Sequence, residues 1–114
     1  MTECLILALI TANSSDHYQY DDKILSNFKI AKYYAGWMKS EPFECQFAIT
    51  YSLQWLTKYS NPKHAKDYAR NFNDDAIDNG CLFRATPLAV WGSSLKDPAD
   101  LKRAVLQDVE FTHS

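Results

Sequence analysis

Several features that would place a chain in a common class are missing from this sequence of 114 residues. It has three cysteines, Cys4, Cys45 and Cys81, but no Cys-x-x-Cys pair, and no two histidines stand at helical spacing. A zinc site is therefore not expected. An odd number of widely spaced cysteines does not make a disulfide framework either, which favours a reducing compartment and a cytoplasmic protein.

An excess of charge of one sign is missing as well. The 12 basic and 14 acidic residues leave a formal charge of −2, so there is no electrostatic reason to expect a nucleic-acid partner. The apolar run from Cys4 to Ile10 is much shorter than the roughly 20 residues that cross a membrane. Glu3 also stands where a signal peptide would carry a positive residue. We interpret this run as a buried helix and expect no membrane partner.

Apolar residues recur instead at steps of three and four along most of the chain, as they do on one face of a helix. Strand alternation hardly occurs. Helix starts are indicated at Thr2, at Asn61-Pro62 and at Asp97-Pro98, since each can cap a first turn and the last two place proline at the first helical position. We therefore predict an all-α protein of five or six helices that forms one domain over residues 1–114.

The predicted helices have specific bounds and inner faces. The first runs from Thr2 to about Asn13 and is followed by a polar loop over residues 13–22. The second runs from Asp22 to the break at Pro42. The third opens at Ser40 or Glu41. The inner faces expected for the second, third, fourth and last helices are Ile24, Leu25, Phe28, Ala31, Ala35 and Met38; Cys45, Ala48, Ile49, Ser52, Leu53 and Leu56; Ala65, Tyr68, Ala69 and Phe72; and Leu101, Ala104, Val105 and Leu106.

Two acidic pairs and two histidines have simple structural interpretations. We interpret Asp21-Asp22 and Asp74-Asp75 as residues at helix starts that complement the helix dipole, rather than as metal ligands. His17 and His64 are interpreted as solvated side chains.

The stretch Asn79 to Leu88, NGCLFRATPL, suits a loop that becomes the start of a helix. Asn79 can cap it, and Gly80 permits a close approach that a side chain would block. The N–H groups of Cys81 and Leu82 would then face outward and suit a phosphate or a ribose hydroxyl. Arg84 either bonds an anion or braces the loop by bonding carbonyls. A plain capped helix with an arginine that reaches solvent remains the structural alternative.

The segment NGCLFRATPLAVW resembles the Asn-Gly-small-x-Met-Arg-x-x-Pro-Leu segment of the ADP-ribosylglycohydrolase family, which releases ADP-ribose from modified proteins. Three other segments resemble parts of that family in the same order. They are MTECLILAL, which resembles the helix after its Thr-Asp-Asp-Thr motif; KYYAGWMKSEPFECQFAITYSL, which resembles its Tyr-x-x-Trp-x-x-x-x-Pro-Phe-Asp stretch; and DLKRAVLQDVEFTHS, which resembles the helix that closes in Thr-His. The resemblance implies that residues 1–114 are an internal part of a larger all-helical fold.

The resemblance also implies a ligand and the residues that bind it. Asn79, Gly80 and Cys81 would line the diphosphate and ribose of ADP-ribose, and His113 would approach the same ligand. Arg84 matches the arginine of the motif, for which we favour a loop-bracing role over a ligand contact. Gln46 stands where the family often has glycine, which places a close approach there in question.

Members of the family hydrolyse the glycosidic bond with two Mg²⁺ ions held by an early Thr-Asp-Asp motif and a late Asp-x-Asp motif. By resemblance, the early aspartates would precede Met1 and the late motif would follow Ser114. We therefore expect this chain to hold no metal and to be inactive alone, with ADP-ribose or an ADP-ribosylated protein as its partner. The alternatives are a catalytically inactive small helical protein that binds a nucleotide or another protein, and a plain helical scaffold.

Overall fold

The computed structural model describes residues 1–12, 25–43 and 45–114 of the chain. These residues form seven helices and no strand, which confirms the prediction of an all-α protein. The helices are α1 (Thr2–Ala12), α2 (Asn27–Lys39), α3 (Phe47–Tyr59), α4 (Pro62–Phe72), α5 (Gly80–Arg84), α6 (Thr86–Gly92) and α7 (Pro98–Val109). The seven helices of the described residues are one more than the upper limit of the five or six expected, because the stretch after Asn79 divides at Ala85 into α5 and α6.

The helices pack around one core. α2 lies between α1 and α3, α3 also packs on α4, and α6 joins α1 to α7. The core includes large side chains from α1, α2, α3 and α6 and from the segments before α2 and after α7, namely Leu5, Leu25, Ile30, Tyr34, Leu53, Leu56, Leu88 and Phe111. Burial of one such aliphatic or phenyl side chain contributes about 1.5–3 kcal/mol, so this core is the main source of stability.

Two of the predicted helix starts are confirmed in detail. Asn61 Oδ1 accepts from the N–H of Lys63 across 2.9 Å, and Pro62 is the first residue of α4. Asp97 Oδ1 accepts from the N–H of Ala99 across 2.8 Å, and α7 begins in the same way. These caps satisfy N–H groups that no helical carbonyl can reach.

The start predicted for α2 is wrong. The helix begins at Asn27, and its cap is Ser26, whose hydroxyl accepts from the N–H of Lys29 across 3.4 Å. Residues 13–24 lie outside the described part of the chain, and with them the predicted polar loop and the predictions for Asn13, His17, Asp21-Asp22 and Ile24.

The start predicted for α3 is also wrong, since this helix begins at Phe47 and not at Ser40 or Glu41. Glu41 has a φ of 52°, which is in the left-handed region and cannot continue a right-handed helix. The chain therefore turns after α2 and enters α3 only at Gln46, the N-cap residue.

The inner face of α3 is as predicted from Ala48 onward, with Ala48, Ile49, Ser52, Leu53 and Leu56 all buried. Cys45, also predicted for this face, lies before the helix begins and is half-buried. Elsewhere three predicted core residues are exposed: Phe28 by 62%, Phe72 by 69% and Leu106 by 49%. Phe28 and Phe72 each stand three residues from a buried alanine, a step that falls about 60° short of a full helical turn. Leu106 follows the buried Ala104 by two residues, so it lies on the opposite side of α7.

The interpretation of Cys4 to Ile10 as a buried helix holds for only one side of α1. Leu5, Ala8 and Leu9 are buried, whereas Leu7 is 45% and Ile10 is 64% exposed. No helix within the described ranges is both long enough and apolar enough to cross a membrane. All three cysteines are free thiols and half-buried.

Candidate functional site

The candidate site lies where the loop before α5 meets the chain segment after α7. The carboxylate of Asp78 joins the two segments. Its Oδ1 accepts from the N–H of Gly80 across 3.1 Å and lies 3.1 Å from Nε2 of His113. His113 Nε2 is also 3.2 Å from the carbonyl oxygen of Asp78. Asp78 therefore holds the predicted residues Gly80 and His113 next to each other, although they are far apart in sequence.

His113 is buried, and both of its ring nitrogens have partners inside the protein. Nδ1 lies 2.8 Å from the hydroxyl oxygen of Thr112, on the opposite side of the ring from Asp78. A Thr112 hydroxyl that donates to Nδ1 leaves Nε2–H to donate to Asp78. The ring is therefore fixed in position between Thr112 and Asp78.

Arg84 lies inside the protein, with 1% of its surface exposed. Its Nε donates to Oδ2 of Asp108 across 2.8 Å, and its Nη2 donates to the carbonyl oxygen of Asp108 across 2.9 Å and to the Thr112 hydroxyl across 2.8 Å. Arg84 thus braces α5 against the end of α7, by a carboxylate and a hydroxyl in addition to the carbonyl that the sequence suggested. The alternative of an arginine that reaches solvent is wrong, and a contact of Arg84 with ligand stays a prediction.

Burial is the largest single influence on the pKa of Arg84 and lowers it, but the charge and hydrogen bond of Asp108 together with Tyr34 raise it by more in sum, so the pKa is above its usual value. The guanidinium is therefore charged throughout the physiological range. This is the expected state for a buried cation whose partner is a buried anion with good hydrogen-bond geometry.

Tyr34 on α2 completes the surroundings of Asp108. Its hydroxyl donates to Oδ1 of Asp108 across 2.5 Å, its ring lies 5.7 Å from Cζ of Arg84, and it meets Phe111 edge to face at 5.8 Å. Burial raises the pKa of Tyr34 well above its usual value, and the negative charge of Asp108 raises it further. The tyrosine is a hydrogen-bond donor that stays protonated.

Asn73 bonds the segment after α7, which contains Thr112, to α3. Its Nδ2 lies 3.1 Å from the carbonyl oxygen of Ala48, 2.8 Å from the hydroxyl of Ser52 and 2.8 Å from the carbonyl oxygen of Thr112. Because Nδ2 carries two hydrogens, one of these bonds is shared. Asn73 is the C-cap residue of α4, so it ties three elements together at one point.

Sequence reasoning missed Tyr34, Asn73, Asp78 and Asp108. One signal was available for Asp108, since it stands four residues after Ala104 and so lies on the inner face of α7. A charged residue at such a position requires a buried partner. The other three have no local signal, because their partners are distant in sequence.

The backbone around Asn79 differs from the prediction. Asn79 is the N-cap residue of α5, as expected, but its side chain makes no capping bond. The N–H of Leu82, expected to face outward, donates to the carbonyl oxygen of Asn79 across 3.0 Å. α5 has only five residues, so its dipole is short and supplies little attraction for an anion.

Gly80 is buried, and a side chain at this position would require the side chains of Gln46 and Ile49 to shift. A Cβ at this position would lie 2.1 Å from Oε1 of Gln46, 2.6 Å from Cδ1 of Ile49 and 3.1 Å from Oδ1 of Asp78. The Gln46 side chain lies over the loop, and its Nε2 donates to Oδ1 of Asn79 across 3.2 Å. A cavity of about 250 Å³ adjoins this contact, with Thr2, Trp37, Gln46, Gly80, Phe83 and Arg84 in its wall.

The interpretation of Asp74-Asp75 as helix caps is wrong. The pair is exposed in the turn after α4, five residues or more before α5, and Asp74 Oδ1 accepts from the hydroxyl of Ser114 across 3.3 Å. Within the described ranges no group of three or more His, Cys, Asp or Glu side chains is arranged to hold a metal ion.

The structure therefore brings Gly80 and His113 together at Asp78, with Asn79 and Cys81 on either side of Gly80 in the chain, and it places Arg84 in the interior. Their contacts with a ligand stay predictions.

One comparison identifies the family of the chain. The family model described as ADP-ribosylglycohydrolase matches residues 1–114, which is the whole sequence. No curated protein and no solved structure shows significant similarity to it.

Proposed function

Since the chain belongs to the ADP-ribosylglycohydrolase family, we propose that it recognises ADP-ribose, either free or attached to a protein. The family membership supports the class of ligand. The residues that would bind it are argued from the geometry of the loop before α5.

The junction of Gly80, Asp78 and His113 is the observation that carries the proposal. Gly80 lies in the wall of a cavity of about 250 Å³, and the Asp78 carboxylate fixes its backbone through a bond to the Gly80 N–H. A glycine that is buried beside a cavity lets a ligand approach the main chain where any side chain would stop it. In this proposal Asn79, Gly80 and Cys81 form the wall on which the ribose and diphosphate lie.

His113 and Arg84 have different roles in this site. Both ring nitrogens of His113 have hydrogen-bond partners within the protein. We therefore assign His113 a contact with the ligand through the carbon atoms of its ring. Arg84 supports the wall from beneath, since its bonds to Asp108 and Thr112 set the distance between α5 and the segment that carries His113. Fixed positions of this kind reduce the ordering cost of binding.

Members of the family depend on metal ions, but the described side chains do not fit a metal site. Mg²⁺ is therefore not assigned to any residue described here, and no step of a hydrolytic reaction is assigned to them either. The alternative function, a small helical protein that binds the nucleotide without hydrolysis, uses the same wall.

The proposal is tested by titrating the purified chain with ADP-ribose in a calorimeter. We expect saturable binding that Gly80→Ala weakens by at least about tenfold, because the added methyl group occupies space at the wall. Lys63→Ala, an exposed change on α4, is the control and should leave the affinity unchanged. Circular dichroism of each variant checks that the helices remain. Absence of binding by the unmodified chain, or equal losses in both variants, would rule out this site.

A second incubation separates the two functions. The chain is mixed with an ADP-ribosylated protein and Mg²⁺, and free ADP-ribose is measured. Metal-dependent release above a blank would assign the hydrolase, whereas binding without release would assign the nucleotide-binding protein.

A further inference from the structure

The side chain of Gln46, the N-cap residue of α3, makes an unusual contact. Shorter polar side chains at an N-cap accept from a backbone N–H of the first turn, but the side chain of Gln46 makes no such bond. The side chain extends instead toward the loop before α5, 33 residues away in sequence, where Nε2 donates to Oδ1 of Asn79 across 3.2 Å. Gln46 therefore contributes to the loop contact and not to the cap of its own helix.

The other end of the same carboxamide is poorly satisfied. Oε1 of Gln46 is buried against Gly80, 2.1 Å from the place where a Cβ would be, and has no hydrogen-bond partner among the described residues. A buried acceptor without a partner is unfavourable. The Gln46 side chain therefore packs closely against Gly80 but is held there weakly, by one ordinary hydrogen bond of Nε2 to Asn79.

A second polar atom nearby also lacks a partner. Nη1 of Arg84 is buried without a hydrogen bond to any described residue, and Arg84 and Gln46 both line the cavity of about 250 Å³ beside Gly80. Arg84 cannot turn this nitrogen elsewhere, because its Nε and Nη2 are already bonded to Asp108 and Thr112. The Gln46 side chain makes one hydrogen bond to the described residues, so it is the side chain beside this cavity that can move.

From this geometry we propose that the Gln46 side chain closes the wall at Asn79 and Gly80 in the ligand-free chain, and that ADP-ribose must displace it to bind. This inference rests on the proposed function, since the displacing ligand is the one assigned to that wall. Gln46 then sets the affinity of the site, because part of the binding free energy is used to break its bond to Asn79. Displacement also leaves the Gly80 backbone open to the ligand.

The test compares ADP-ribose affinities of the full chain and of two variants on α3. Gln46→Ala removes the closing side chain without removing a helix cap, so it should bind ADP-ribose about threefold to tenfold more tightly, the factor expected for one hydrogen bond of ordinary net strength. Gln54→Ala is the matched control. Gln54 is exposed, bonds only locally to the carbonyl oxygen of Tyr51, and its removal should not change the affinity.

Each other outcome overturns the inference in a distinct way. Equal affinities of Gln46→Ala and the unmodified chain would show that Gln46 does not close the site, while the proposed function would stand. Weaker binding by Gln46→Ala would make Gln46 a ligand contact. If none of the three proteins binds ADP-ribose, the proposed function fails, and this inference fails with it.

A measurement without ligand tests the closed contact directly. In the free chain, a nuclear Overhauser effect should connect the side-chain amide protons of Gln46 with the α protons of Gly80, and saturating ADP-ribose should abolish it. Absence of this signal in the free chain would overturn the inference even if Gln46→Ala changes the affinity.

Discussion

Arg84 and Asp108 form an ion pair inside the protein, with Nε and Oδ2 2.8 Å apart and side chains that are 2% and 0% exposed. The pair joins α5, which carries the candidate binding wall, to α7, which leads into Thr112 and His113. A buried pair of this kind is costly to desolvate, so its value lies in fixing the position of these two elements as much as in net stability.

Replacement of Arg84 by methionine should be strongly destabilising. The change leaves the Asp108 carboxylate buried with Tyr34 as its remaining side-chain partner, and uncompensated buried charges of this type cost about 3–5 kcal/mol. Urea denaturation followed by circular dichroism would measure the loss in free energy of unfolding. The double variant Arg84→Met with Asp108→Leu should recover much of it, because no charge is then buried.

The control for this prediction is another arginine–aspartate pair. Arg103 Nη1 lies 3.1 Å from Oδ1 of Asp100 on the outer side of α7, and the arginine side chain is 60% exposed. Exposed pairs contribute little, so Arg103→Met should change the free energy of unfolding by no more than about 1 kcal/mol. A loss as large as that from Arg84→Met would contradict the argument from burial.

Asn73→Asp should be destabilising although it hardly changes the shape of the side chain. Nδ2 of Asn73 faces three oxygens, those of Ala48, Ser52 and Thr112, and a carboxylate oxygen in its place has no hydrogen to donate. Loss of these bonds together with burial of a charge should cost at least about 2 kcal/mol at neutral pH. The exposed change Asn71→Asp on α4 is the matched control, and thermal melts of both would show whether the donor matters.

Helix starts with local signals could be predicted, and those without could not. Asn61-Pro62 and Asp97-Pro98 combine a capping side chain with proline at the first helical position, and the bonds involved span only two residues. The start of α3 depends on the left-handed backbone at Glu41, which the sequence does not signal because glutamate rarely adopts it. Apolar spacing then extended the predicted helix too far toward its N-terminus.

The candidate site was predictable to the extent that it resembles a family motif. The Asn-Gly motif contains Asn79, Gly80, Cys81 and Arg84, and His113 closes the separate Thr-His segment. The partners that position them are not among these motif residues: Asp78 meets His113 across 35 residues, and Tyr34 meets Asp108 across 74. Such contacts follow from the packing of α2, α5 and α7, which periodicity alone does not specify.

Stability should fall in alkaline solution because of Tyr34. In the unfolded chain a tyrosine loses its proton near about pH 10, whereas in the folded chain the pKa is raised well above that value by burial and by Asp108. Above about pH 10 the unfolded state therefore binds fewer protons than the folded state. The contribution of Tyr34 to the free energy of unfolding is complete below about pH 10 and is lost as pH rises toward the folded pKa. The loss approaches about 1.4 kcal/mol per pH unit for one group.

Comparison with Tyr34→Phe isolates this effect. The variant lacks the ionisable hydroxyl and its bond to Asp108, so it should be less stable than the unmodified chain at pH 8, and the two stability curves should converge above about pH 10. Tyr51→Phe, which removes an exposed hydroxyl on α3, measures what the loss of any tyrosine does over the same range. Curves of the unmodified chain and Tyr34→Phe that stay parallel to pH 11.5 would reject the assignment.

A methyl group at position 80 should destabilise the chain by an amount that depends on Gln46. In Gly80→Ala the new Cβ meets Oε1 of Gln46 at 2.1 Å and Cδ1 of Ile49 at 2.6 Å, so both side chains must shift. Overpacking of this kind costs about 1–3 kcal/mol.

Truncation of Gln46 to alanine removes the closer of the two contacts, so Gly80→Ala should cost less in that background. Urea denaturation of the four proteins of this double-mutant cycle would give the coupling energy, expected at about 0.5–2 kcal/mol in favour of the double variant. Additive losses would mean that Gln46 moves away from Gly80 without cost and does not pack against it.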